Sequence, residues 1–201
     1  LPDLKSIPAD VLAKAKVQLE TLECGSNLRR LSADEMVRMV DNWKPVVGKS
    51  LTRLELYGQA FERQTDMMTW FTLMEHARLR ELTWLGAQLD ATRPLPFDAW
   101  SQLTNLSLGI LSTPGAGAIR ATDFADALGQ LRLVQLKLFV AHAATMWLNV
   151  LVESKETNLQ ETLTSFELTL RASEAAGGPS PSLRTWTRFA RHFDRLRTCS
   201  G

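Results

Sequence analysis

The sequence predicts an all-α protein, a bundle of about six to eight helices packed around one central hydrophobic helix at about residues 123–152. Three observations lead there. Within residues 133–152 (LVQLKLFVAHAATMWLNVLV) only Gln135, Lys137, His142, Thr145 and Asn149 are polar, and a helix that is apolar nearly all round is buried in a core or in lipid. Apolar residues elsewhere recur at three- and four-residue steps, the spacing of one helix face. No stretch shows sustained apolar/polar alternation between turn signals, so no sheet is expected, and no internal repeat or low-complexity tract stands out.

The central stretch is long enough to cross a bilayer. Lys137 near one end and His142 near the middle argue against it, because a charge near the bilayer centre costs roughly 2.5–3.5 kcal/mol. The expectation is a core helix. A chain of 201 residues can bury a sizeable core. An apolar fraction of 45% with 22% charged residues places it among globular proteins. A net charge of +1 argues against a protein that is basic throughout. The charge is uneven: residues 179–201 carry five Arg and one Asp, net +4, while residues 98–178 carry five basic and eight acidic groups, net −3. The chain opens on Leu1, which suggests a trimmed or processed product. Two cysteines, Cys24 and Cys199, are sparse for a disulfide scaffold. A bridge between the termini is one reading; two free thiols in a reducing, cytoplasmic or intracellular compartment is the favoured one.

The elements follow in order. Ser6 and Pro8 open a helix carrying Val11, Leu12, Ala15, Leu19 and Leu22, closed by Gly25. Ser32-Ala33-Asp34-Glu35 fits a capping box, with Ser32 as N-cap and Glu35 at N3. Its helix carries Met36, Met39, Val40 and Trp43 and breaks at Pro45. A helical period then runs through residues 46–89, as one helix or two. Pro96 opens a further helix with Trp100, Leu103, Leu106, Leu108 and Leu111. After the central helix, Leu159, Leu163, Phe166 and Leu170 form another amphipathic segment, ended by Gly177-Gly178-Pro179. The domain reading is a helical bundle over 1–178, then a short linker and a C-terminal basic helix over 179–201 packed on the same domain.

That last helix carries the sharpest functional signal. At 100° per residue, Arg184, Arg188, Arg191 and Arg195 share one face, flanked by His192. Leu183, Trp186, Phe189, Ala190, Phe193 and Leu196 take the opposite face. Arginine offers forked donors that suit phosphate and carboxylate. The stripe is therefore a candidate surface for nucleic acid, an acidic protein partner or, least favoured, a membrane surface, with a solvated helix face as the plain alternative. Trp70 and Trp84 are candidate interface aromatics, since tryptophan is enriched at interface cores.

The second signal is the loop Pro114-Gly115-Ala116-Gly117-Ala118-Ile119-Arg120. Gly115 and Gly117 let a backbone approach a ligand closely. Residues 115–118, reading GAGA, resemble the catalytic loop of a family of bacterial guanine-nucleotide exchange effectors. Residues 117–120 resemble the loop of a family of bacterial GTPase-activating effectors, which places a catalytic arginine where Arg120 stands. Each resemblance covers four residues. It implies a regulator of small GTPases, in the second case acting through Arg120 on the charge that develops at the transferred phosphate.

Other templates are missing from the sequence. His76, His142 and His192 fall in no metal-ligand spacing, and no phosphate loop or Gly-x-Ser-x-Gly elbow is present. No cofactor, metal or catalytic residue is expected. The leading function is a non-enzymatic interaction or assembly subunit working through helix-face protein contacts, self-association included. The alternative is a helical nucleic-acid-binding protein, such as a viral coat or nucleocapsid subunit, using the arginine face.

Overall fold

A six-residue unit, Leu-x-x-Leu-x-Leu, recurs down the chain and decides the fold. It reads Leu51-Thr52-Arg53-Leu54-Glu55-Leu56, then Leu79 to Trp84, Leu103 to Leu108, Leu133 to Leu138, and Leu163 to Leu168 with Phe166 in the second place. Leu196-Arg197-Thr198-Cys199-Ser200-Gly201 keeps its start, and Leu19 to Cys24 fits it in sequence. Wound as a helix, the unit would bring its first two leucines together and send the third to the opposite side. In a strand the last two share one face and the residue between them points away.

A computed structural model describes residues 20–24, 32, 34, 35, 37, 38, 41, 44, 50–57, 78–87, 100–110, 121–140, 144–154, 158–170 and 180–200. Its elements run β1 (Thr21–Cys24), β2 (Arg53–Tyr57), β3 (Glu81–Ala87), β4 (Asn105–Ile110), α1 (Ala121–Gly129), β5 (Gln135–Val140), α2 (Ala144–Glu153), α3 (Asn158–Thr162), β6 (Ser165–Leu170), α4 (Leu183–His192) and β7 (Thr198–Ser200). The strands form one seven-stranded sheet in chain order, and every neighbouring pair is parallel. The chain between successive strands is long enough at every step for the crossover of a dozen or more residues that a parallel pair needs. Sequential order with no crossing over is the mark of a stacked repeat, or solenoid, in which each unit contacts its neighbours.

Register stacks like residues on like. Leu54, Leu82, Leu106, Leu136 and Phe166 form one inward row, and Leu56, Trp84, Leu108, Leu138 and Leu168 the next; all are buried. Each such side chain contributes about 1.5–3 kcal/mol by leaving water. Ala125, Leu128, Trp147, Leu148, Leu151 and Leu159 from α1, α2 and α3 belong to the same core, so the helices cover this side of the sheet. The leucine that opens each unit (51, 79, 103, 133, 163) is buried too. The backbone ladder extends one residue ahead of the strands: the carbonyls of Glu20, Thr52, Arg80, Thr104, Val134 and Thr164 each accept two consecutive N–H groups of the next unit, at 2.7–3.2 Å. Thr52, Thr104 and Thr164 add their hydroxyls to the carbonyls ahead of them, at 3.4, 3.1 and 3.2 Å.

The all-α bundle is thus overturned by a seven-stranded parallel sheet. The expected central helix at residues 123–152 is three elements: most of α1, strand β5, and α2. Its apolar run alternates through β5, where Leu136, Leu138 and Val140 are buried while Gln135, Lys137 and Phe139 are half-buried. The helical period of residues 46–89 contains β2 and β3, and that of 96–111 contains β4. Leu159 lies in α3, but Phe166 and Leu170 lie in β6. The physical reason is common to all. Parallel strands are usually covered on both faces and read as continuous apolar runs; here the described helices cover one face, and only two or three inward positions per strand mark it. The internal repeat, too, is present where none was expected, because the spacing between its units is irregular.

Two local readings meet the structure directly. The Ser32–Glu35 capping bonds are reciprocal: the Ser32 N–H donates to Glu35 Oε2 at 2.7 Å, and the Glu35 N–H to Ser32 Oγ at 3.3 Å. Cys199 is a free, exposed thiol. Cys24 and Cys199 sit on strands at opposite edges of the sheet, six steps of about 4.8 Å apart. A disulfide needs Cα atoms within about 7 Å. Among the described residues no helix is long and apolar enough to cross a membrane.

Candidate functional site

The other face of the sheet is built from the residues between the leucines. One outward row is Thr21, Arg53, Glu81, Asn105, Gln135, Ser165 and Thr198; the next is Glu23, Glu55, Thr83, Ser107, Lys137, Glu167 and Ser200. All are exposed or half-buried. A third, shorter row brings Tyr57, Leu85, Gly109, Phe139 and Thr169 to the C-terminal ends of the strands. The face therefore runs from a charged region over β1–β3, through neutral Thr83, Asn105, Ser107 and Gln135, to a mixed region over β5 and β6. An apolar border runs along one side.

The charged region is partly self-satisfied. Arg53 reaches Glu55 at 2.6 Å and its register partner Glu81 at 3.5 Å. The Tyr57 hydroxyl donates to Glu55 Oε2 at 2.6 Å. That hydrogen bond, with the Arg53 guanidinium, holds the Glu55 carboxyl below the usual carboxylate range against the opposing effect of burial. The same bond pushes the Tyr57 phenol up. With Glu23, the cluster holds three carboxylates against one guanidinium. On β5 and β6, Lys137 pairs with its register partner Glu167 at 2.9 Å. Arg53–Glu81 and Lys137–Glu167 join neighbouring strands, and the charges leave the face net acidic at its β1–β3 end.

One irregularity marks the middle. The β3–β4 register shifts between Trp84 and Ala87, so β3 carries one extra residue opposite Gly109. Bulges of this type re-aim a side chain and concentrate where sheets serve a site. Gly109 is buried beside half-buried Leu85 and Phe139, and it leaves the apolar border without a side chain at that step.

The arginine stripe takes a different place. Helix α4 is capped by Ser182, whose Oγ accepts the Thr185 N–H at 3.2 Å. It docks through an aromatic chain, with Phe189 4.4 Å from Phe166 of β6 and 4.6 Å from Phe193 between ring centroids. Trp186 closes the group edge-on to Phe189 at 6.2 Å. Arg184, Arg188 and Arg191 stay exposed on the outer side. Leu183, expected on the packed face, is 83% exposed, and Ala190 is exposed as well. Arg195 lies beyond the helix in a turn, exposed, with Arg197 two residues on. Leu183, Arg184, Thr187, Arg188 and Arg191 share the outer side of the helix. Arg188 reaches Glu153, at the end of α2, at 3.4 Å.

His192 turns away from the stripe and hydrogen-bonds with Gln160 of α3. Burial first, then the Arg188 charge, push its pKa down, with Asp194 opposing. Trp84 is in the core at 2% exposure. Trp70 and the loop residues Gly115, Gly117 and Arg120 lie outside the described residues. Among the described residues no group of three or more His, Cys, Asp or Glu is placed to hold a metal ion.

The outward rows were missed in the sequence, and their signal was available: they stand between the leucines of a unit repeated at irregular intervals. The chain matches no protein-family model, no curated protein and no solved structure. The class defined by fold and face is a parallel repeat solenoid.

Proposed function

We propose that the chain is a recognition module that binds a partner protein on the open face of its sheet. The observation that carries this reading is the outward face itself: two register-aligned rows and a third interrupted by the β3–β4 bulge, covered by none of the helices that bury the inward rows. A solenoid presents a continuous surface of this type to macromolecular partners. The strands fix backbone positions rigidly, so outward side chains vary without cost to the core. The sheet is favoured over helix-face contacts because Ala125 and Leu128 of α1, Trp147, Leu148 and Leu151 of α2 and Leu159 of α3 are taken up by the core.

The face is suited to a partner with an apolar segment over Tyr57, Leu85 and Phe139 and a cationic one over Glu23, Glu55 and Glu81. Site-specific photo-crosslinking in cells of the source tests it. A photoreactive residue at Ser107 is expected to give a discrete protein adduct, and one at Glu161 of α3 none. Adducts from Glu161 alone, or equal adducts from both, would overturn the reading. An adduct with a second copy would identify the partner as the chain itself.

A further inference from the structure

We propose that the C-terminal end of the solenoid is a second, separate binding surface, and that its ligand is the phosphate backbone of nucleic acid. Arg184, Arg188, Arg191, Arg195 and Arg197 are all exposed within fourteen residues of chain. This segment has no lysine. Along the helix, Arg184 to Arg188 is about 6 Å of axial rise and Arg188 to Arg191 about 4.5 Å. Among the described residues, Glu153 is paired to Arg188 and Asp194 precedes Arg195. Arg184, Arg188 and Arg191 stand with Leu183 and Thr187 on one outer side of α4, and Arg195 and Arg197 follow in the exposed segment that leads to β7.

The kind of partner follows from what the surface lacks. A protein interface needs an apolar, desolvated centre, and here the outward side of α4 offers Leu183 as its one large apolar group. A membrane-surface helix buries bulky apolar groups among the headgroups; Trp186, Phe189 and Phe193 of this segment are instead spent on Phe166 and one another. Phosphate polymers need neither, because counterion release by itself supplies the binding free energy. Arginine's forked donors fit phosphate oxygens in pairs. His192 is not part of this surface, since Gln160 engages its ring.

Fluorescence anisotropy with a labelled oligouridine and a labelled DNA duplex tests the proposal on the full chain. With about five phosphate contacts, affinity for the single strand should fall roughly a hundred-fold between about 50 and 200 mM salt. Combined Arg184→Glu, Arg191→Glu and Arg195→Glu changes should abolish binding, while near-ultraviolet circular dichroism stays unchanged because all three side chains are exposed. A smaller set, Arg184→Ala with Arg191→Ala, should lower the salt slope by about 1.4. No binding to either probe at low salt would overturn the proposal, as would binding that survives the charge reversals. Equal binding to polyglutamate, or binding confined to phosphatidylserine vesicles, would also overturn it by moving the ligand to another class. The Ser107 crosslink separates this surface from the sheet face: it should persist in the charge-reversed chain.

Discussion

The middle of the sheet and its C-terminal end use one unit to opposite effect. At β4, Leu106 and Leu108 have a strand on either side, and both are buried. At β7, Cys199 holds the same register position as Leu106, three residues after Leu196, and it is exposed. Beside β7 the core is covered by another route. Phe166 replaces leucine in the inward row of β6, and Phe189, Phe193 and Trp186 pack against it and one another. A repeat buries its apolar face only when a neighbour stacks on it. Next to β7, whose unit carries Cys199 where the others carry leucine or phenylalanine, larger side chains from α4 supply that packing.

The largest test of this contrast is a pair of substitutions at equivalent register. Leu106→Ala should cost about 2–5 kcal/mol, because a central leucine leaves a cavity that neighbours on both sides cannot fill. Cys199→Ala should stay within about 0.5 kcal/mol, as expected of an exposed position. Urea denaturation of the two variants checks both; equal losses would show that the end repeat is as deeply packed as the centre. A smaller effect isolates the closing helix. Ser182→Ala removes the N-cap acceptor for Thr185 N–H and should destabilise by about 1 kcal/mol. Amide exchange should localise that loss to α4, leaving the β4 amides protected.

The smallest is a pH effect at the same joint. His192 has a folded pKa below its ordinary value of 6.5, from burial and then Arg188. The unfolded chain binds that proton more tightly, so stability rises with pH through this range. His192 therefore contributes fully above about 6.5 and loses its contribution as pH falls through that value toward the folded pKa. Thermal midpoints on either side of 6.5 should diverge more in the native chain than in His192→Gln. Identical pH dependence in the two would remove His192 from the account.

Much of the C-terminal end was legible in the sequence. The amphipathic spacing of Arg184, Arg188 and Arg191 against Trp186, Phe189 and Phe193 gives a helix with the arginines outward, and α4 is that helix over ten residues. Arg195 was placed one turn too far, because the helix ends at His192 and the next unit begins at Leu196. The open face was not legible under a search for long alternation. Its strands hold two or three inward positions, such as Leu54 and Leu56 in β2, and the step from Leu51 to Leu54 is also a helical one. A run as apolar as residues 133–152 concealed the boundary between β5 and α2, since both elements face the same core.

By itself the sequence determined which residues are apolar, where the Leu-x-x-Leu-x-Leu units stand, and that the C-terminal segment is cationic on one side. It determined the Ser32–Glu35 capping pair as well, since that contact is local. The tertiary structure decided what those units become. A six-residue unit cannot bury its own leucines; it needs the N–H groups and side chains of the units before and after it, which lie far along the chain. Pairing between units made them strands, stacked them in register, and turned the intervening polar residues into one continuous face.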